Sequence, residues 1–280
     1  MTKQILFTLL MMVLLPAFAH AGEEEDMKRM AQEHQHDKPT ATPAATAEPA
    51  RPVTAEEVVY GDVGGKPVRG YLARPKDAKG PLPGLIVIHE WWGLNDNVRA
   101  MTRRLAGEGY QALAVDLFGG AVADNPDAAM KQINAVMQNT GAAEDNLKDA
   151  YTFLEGKGAQ KIGSIGWCFG GGWSLATAML LPDKIDATVV YYGRVETDKE
   201  KLAPVKAPIL GFFGGKDKSI PVEGVRAFEK ALKDLGKPVE IHIYENADHA
   251  FANASGGNYN PEAAKDSWTK TTAFLKKNLG

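Results

Sequence analysis

The chain has one cysteine, Cys168, among 280 residues, so no disulfide can form within it. Basic residues are not in excess: 32 Lys and Arg stand against 35 Asp and Glu, and the formal charge is −3. No Lys/Arg run offsets that balance, so there is no general attraction to phosphate backbones or anionic lipid, and no nucleic-acid partner is expected. Long apolar runs are also missing. The most continuous, Ile5 to Leu15, is about a dozen residues, short of the roughly 20 that a membrane-spanning helix needs. No internal repeat is visible. A hydrophobic fraction of 44% and a charged fraction of 24% are ordinary for a globular protein, enough for a sizeable core and too apolar for a wholly disordered chain.

The first residues have the pattern of an export leader. Lys3 supplies a positive start, the apolar run follows, and Ala17-Phe18-Ala19 and Ala19-His20-Ala21 offer overlapping small-x-small cleavage sites. Residues 1–21 are therefore expected to be a signal peptide removed after Ala19 or Ala21, leaving a periplasmic or secreted chain. No cysteine follows the leader, so no stable membrane anchor is expected. Residues 22–53 begin with Glu23-Glu24-Glu25-Asp26 and continue into an Ala/Thr/Pro-rich stretch, too poor in apolar residues to offset chain entropy, and are expected to form a disordered tether. His34 and His36 lie in it and are read as solvated, because a closed metal site wants three or four ligands. No metal is expected.

From Glu56 onward strand-like and helix-like segments alternate. Val58–Tyr60 and Val68–Leu72 predict an antiparallel pair turning at Gly64-Gly65. Buried strands are predicted at Leu85–His89, Ala112–Val115, Lys161–Gly166, Ala187–Tyr191 and Ile209–Phe213, with an alternating strand at Val239–Tyr244. Helices are predicted at Asn97–Gly107, Asn125–Met137, Ala142–Glu155, Trp173–Leu181, Val222–Leu235 and Pro261–Leu279. The alternation implies one α/β domain over 54–280, its mostly parallel sheet covered on both faces.

In such sheets chemistry gathers at the carboxyl ends of the strands. A lone thiol is either a small buried hydrophobe or a reactive group, and the surroundings of Cys168 favour the second. Gly166-Trp167-Cys168-Phe169-Gly170 has glycine two residues before and after the cysteine, between a strand and a helix. A nucleophile elbow needs this, since its turn leaves no room for Cβ atoms there. The helix start would favour thiolate. Acid and base should follow in that order. Asp217 stands in the turn after Phe213, and His249 in the loop before the last helix. Asp217 would orient the His249 imidazole, and His249 would move protons to and from the thiol and leaving group. Asp248 also adjoins His249, but immediate neighbours make poor side-on partners.

These windows, with Val87-Ile88-His89-Glu90-Trp91-Trp92-Gly93-Leu94-Asn95, Val115-Asp116-Leu117-Phe118, Gly214-Gly215-Lys216-Asp217 and Asp248-His249-Ala250-Phe251, resemble the dienelactone hydrolase family of α/β-hydrolases from Val58 to the C-terminus. The resemblance implies an α/β-hydrolase fold and a catalytic set of Cys168, Asp217 and His249. It further implies that Glu90 hydrogen-bonds the resting thiol and takes its proton when substrate arrives, protecting an exposed thiolate from oxidation. Backbone N–H groups of Phe169 and Trp91 are implied as the oxyanion hole. Trp92 and Phe118, with Phe251, are expected to line an aromatic substrate pocket.

Departures from the family pattern bear on substrate. Dienelactone-cleaving members carry arginines where this chain has Gly120 and Asn253, and serine where it has Ala250. A carboxylate clamp depends on the charge and fork of arginine, leaving Arg99 and Arg194 as the substitutes to consider. The expected activity is hydrolysis of a small activated ester, lactone or thioester by a monomer without metal or organic cofactor. An acyltransferase, a peroxide-reactive thiol protein and a non-catalytic binding module are the alternatives. The second lacks a resolving cysteine, and the third would be marked by a broken triad.

Overall fold

The computed structural model describes residues 29, 31, 32, 34, 36, 37, 40–42, 45 and 47–280; the leader expected at 1–21 lies outside them. The described residues form one eight-stranded sheet in the order β1-β2-β4-β3-β5-β6-β7-β8. β1 (Val53–Val63) and β2 (Lys66–Pro75) pair antiparallel through a turn at Gly64 and Gly65, both at positive φ, and β2 pairs antiparallel with β4 (Gln111–Val115). From there every pairing is parallel, through β3 (Gly84–Ile88), β5 (Ile162–Trp167), β6 (Ala187–Tyr191), β7 (Ile209–Gly214) and β8 (Val239–Tyr244). From residue 47 onward the helices are α1 (Asp96–Gly107), α2 (Pro126–Gln138), α3 (Thr140–Gly156), α4 (Phe169–Leu180), α5 (Lys199–Leu202), α6 (Val222–Asp234) and α7 (Pro261–Leu279). This is the α/β-hydrolase architecture that the sequence led us to expect.

The continuous apolar runs are central strands with both faces covered, each alternating between two cores. Leu85 and Val87 join Ala112, Ala114, Val189 and Phe212 under α1 and α7, while Ile86 and Ile88 join Leu113 and Val115 under α2 and α3. Val190, Ile209 and Phe213 pack under α4 and α6. The helix ends follow from local chemistry: Asn95, Asn125 and Asn260 cap α1, α2 and α7 by accepting from backbone N–H groups. Among the described residues no helix is long and apolar enough to cross a membrane.

Two elements differ from expectation. The one-turn α5 is too short to show a period. α4 starts at Phe169, four residues before the predicted Trp173; the later start was expected because Gly170-Gly171-Gly172 has poor intrinsic helix propensity. Tertiary contact overrides that propensity. A Cβ on Gly170 would strike the carbonyls of Ile88 and His89, and one on Gly171 would strike that of Tyr191, so these glycines let α4 sit directly on the sheet.

Candidate active site

Cys168 occupies the turn between β5 and α4 with φ 53° and ψ −119°, a strained left-handed conformation held by its surroundings. Its N–H donates to the Tyr191 carbonyl at 3.0 Å. A Cβ on Gly166 would run into the Gly170 backbone, which is why the elbow needs glycine there. The first N–H groups of α4, Phe169's among them, have no acceptor within the helix and lie beside the sulfur's backbone. Burial pushes the thiol pKa up, but the imidazoles of His249 and His34 more than offset it and bring it down to about 6.

Asp217 and His249 come from the loops after β7 and β8. One carboxylate oxygen, Oδ1, accepts from the N–H groups of Ser219 (2.9 Å) and Ile220 (2.8 Å). The other lies 2.7 Å from His249 Nδ1. Both side chains are fully buried. Burial disfavours a charged ring, yet Asp217 and Cys168 hold the His249 pKa well above its ordinary value. With Nδ1 committed to Asp217, Nε2 is left buried with no hydrogen-bond partner of normal geometry, within 4.8 Å of the sulfur.

Glu90 follows β3 and is also buried. Its oxygens accept from the Tyr192 hydroxyl (3.2 Å) and from Asn253 Nδ2 (2.7 Å). Burial foremost, with the nearby thiolate, pushes its pKa to about 8 despite these donors. Tyr192 was missed in the sequence. It follows β6 with φ 36°, its ring edge-on to His249 at 5.3 Å, and no motif marks it. Asn253, one of the two positions lacking the family arginine, turns out to hold Glu90.

The aromatic residues divide. Trp91 and Trp92 are buried with ring centroids 4.7 Å apart, and the Nε1 atom of each is without a partner among the described residues. Phe118 packs on His89 and Phe169. A cleft of about 490 Å³ runs past Phe118 and is lined also by Arg69, Asp116, Gly120 and Asn146; neither Cys168 nor His249 lines it. Phe251 is fully buried among Tyr192 and Tyr244, a core position. Arg99 pairs with Glu57 at the surface, and Arg194 is exposed beside Gly172.

The expectation that His34 is solvated needs correction; His36 is exposed. His34 is 1% exposed. Its ring stacks on Trp91 at 4.4 Å and meets His249 edge-on at 5.1 Å. Nε2 lies 3.4 Å from Cys168 Sγ, and Nδ1 lies 2.5 Å from Asp37 Oδ2. Burial works against the charged ring, but Cys168 and Asp37 raise its pKa to about 9. No motif signalled this, since the pair lies 134 residues from the cysteine in a stretch of tether-like composition.

Comparison with known proteins identifies the family. The family model described as "Dienelactone hydrolase family" matches residues 68–279. A protein of Saccharolobus solfataricus, provisionally named a carboxymethylenebutenolidase, is 34% identical over 259 residues, covering 79% of this chain and 98% of that protein. Protein usf of Aquifex pyrophilus is 36% identical, covering 80% and 99%. A dienelactone hydrolase-like promiscuous phosphotriesterase from metagenomic libraries superposes with a TM-score of 0.73 at 26% identity, covering 81% of this chain and 99% of that one. A match that runs from β2 to α7, through the loops carrying Glu90, Cys168, Asp217 and His249, makes this chain a member of the dienelactone hydrolase family and an ester or lactone hydrolase of the α/β-hydrolase fold.

Proposed function

We propose that Cys168 is the nucleophile of a Cys-His-Asp hydrolase acting on small, activated, uncharged esters or lactones. The observation that carries this reading is the buried line from Asp217 through His249, 2.7 Å at Nδ1, to an Nε2 within 4.8 Å of the sulfur. A thiolate with pKa about 6 is ionised at neutral pH and needs no further base to attack an acyl carbon. As the sulfur–carbon bond forms, the carbonyl electron pair moves onto oxygen, where the N–H groups of Phe169 and Trp91 would receive it. Collapse expels the alkoxide or enolate, protonated by His249, and leaves a thioester. Water then attacks, gives its proton to His249, and releases the acid and the thiolate. Thiolate leaves more readily than an ordinary alkoxide, so activated substrates suit this site.

The state of the positions considered for a carboxylate clamp supports the uncharged class. Asn253 is engaged with Glu90, Gly120 has no side chain, and Arg99 is paired elsewhere. The leader-like stretch at 1–21 supports action outside the cytoplasm, and N-terminal sequencing of exported material, expected to begin near Gly22, checks this. For the nucleophile, Cys168→Ala should lower turnover of a p-nitrophenyl ester by about 10⁴-fold or more, with Cys168→Ser weak but measurable. Undiminished turnover by the alanine variant would remove the assignment.

A further inference from the structure

A triad uses one imidazole, and this sulfur faces two. The second arrives on the segment ahead of β1, which is fastened across the site at several points. Thr42 donates its N–H to Ser255 Oγ (2.9 Å) and its hydroxyl to the Ala254 carbonyl (3.0 Å). Asp37 Oδ1 accepts from the Gly257 N–H at 2.9 Å while Oδ2 holds His34 Nδ1. Asp37 thus repeats for His34 what Asp217 does for His249: one oxygen on backbone N–H, the other on Nδ1. Both rings are turned so that Nε2 points at Cys168.

Carboxylates on Nδ1 are how metal-binding histidines are oriented, since they fix the tautomer and raise the basicity of Nε2. The three donor atoms, His34 Nε2, His249 Nε2 and Cys168 Sγ, all lie within 4.8 Å of one another and are buried. Bond lengths of about 2.3 Å to sulfur and 2.0–2.1 Å to nitrogen at a tetrahedral cation put S and N roughly 3.5 Å apart, and His34 Nε2 lies 3.4 Å from Sγ. Among the described residues His249 Nε2 has no hydrogen-bond partner other than the sulfur to give up. Two imidazoles and a thiolate match a thiophilic cation and are a poor match for Mg²⁺ or Ca²⁺, which prefer oxygen.

We propose that the docked N-terminal segment completes a three-donor site, His34, His249 and Cys168, for one thiophilic d¹⁰ cation, Zn²⁺. Binding replaces the protons on both Nε2 atoms and any proton on sulfur, so it releases protons. Its consequence rests on the hydrolase reading above: coordination draws charge from the thiolate and occupies the His249 Nε2 that turnover needs, so the loaded chain is silent until the cation leaves.

The test is titration of the untagged full chain, reduced and freed of metal, with Co²⁺ followed by absorbance and with Zn²⁺ followed by calorimetry. One equivalent should bind, with a thiolate-to-cobalt band in the near ultraviolet that Cys168→Ser removes. Asp37→Asn should weaken Zn²⁺ binding by about 10- to 100-fold, His34→Ala by at least as much, and His36→Ala not at all, with circular dichroism verifying that each variant is folded. Zn²⁺ should inhibit ester turnover reversibly by chelator, and His34→Ala should need at least about tenfold more. A wild type without the band, or a His34→Ala variant that binds like wild type, overturns the proposal. So does a His34→Ala variant that gains ester turnover while the wild type binds no metal, which would make the segment a plain steric cover. The band is read without an ester, so its loss and a failure of the hydrolase assignment are told apart.

Discussion

Asn253 donates its side-chain amide to Glu90 Oε2 at 2.7 Å. The position where the family resemblance implies a substrate-gripping arginine is occupied here by a residue that holds the site's own carboxyl group. Removing that donor strands a buried oxygen, which costs about 1–3 kcal/mol. Asn253→Leu should lower the melting temperature by several degrees in calorimetry. An unchanged melting point would mean that the bond contributes nothing.

The same relationship bears on substrate charge. With Asn253 turned to Glu90, a neutral p-nitrophenyl ester should be hydrolysed faster than a matched ester bearing a carboxylate. Comparing kcat/KM for the two checks this, and a preference for the anionic ester would show that another cation grips it.

The thiol should titrate near pH 6, against about 8.5 for an unperturbed cysteine. A lowered pKa means that thiolate is present above that pH and is lost as pH falls through it. Ultraviolet absorbance of the thiolate in chelator-treated protein should therefore rise around pH 6. His249→Ala and His34→Ala should each move the midpoint upward, because each removes a positive neighbour. A midpoint at the ordinary value in the wild type would contradict the ion-paired arrangement.

Gly166 and Gly224 make a matched pair. Alanine at Gly166 forces a Cβ into the Gly170 backbone, whereas a Cβ at Gly224, within α6, meets nothing within 4 Å. Gly166→Ala should destabilise by about 1–3 kcal/mol and depress ester turnover. Gly224→Ala should stabilise by about 0.5–1 kcal/mol. Thermal melts of the two variants side by side decide it, and equal shifts would mean that the elbow has room to relax.

Much of this molecule was legible because its information is local. Strand runs such as Leu85–Ile88 announce burial on both faces. The Gly166–Gly170 spacing announces a turn that only glycine permits on either side of Cys168. Asp217 and His249 follow strands whose ends are readable, so their meeting could be inferred from chain order. α5, with a single turn, and the glycine-rich start of α4 were not readable, since one lacks a period and the other is helical only because of what it packs against.

The sequence by itself determined the α/β layers, the tight glycine-flanked turn at Cys168, and the chain order in which Cys168, Asp217 and His249 follow successive strands, through periodicity and backbone sterics acting over a few residues. Tertiary structure alone decided what surrounds Cys168. Tyr192 and Asn253 meet at Glu90 from two different loops. His34 reaches Cys168 across 134 residues, because Asp37, Thr42, Gly257, Ser255 and Trp91 together form a dock that no stretch of the chain contains on its own. Hydrogen bonds and ring contacts between distant segments leave no pattern in the segment that docks. For that reason a stretch with the composition of a tether could place a histidine against the Cys168 sulfur.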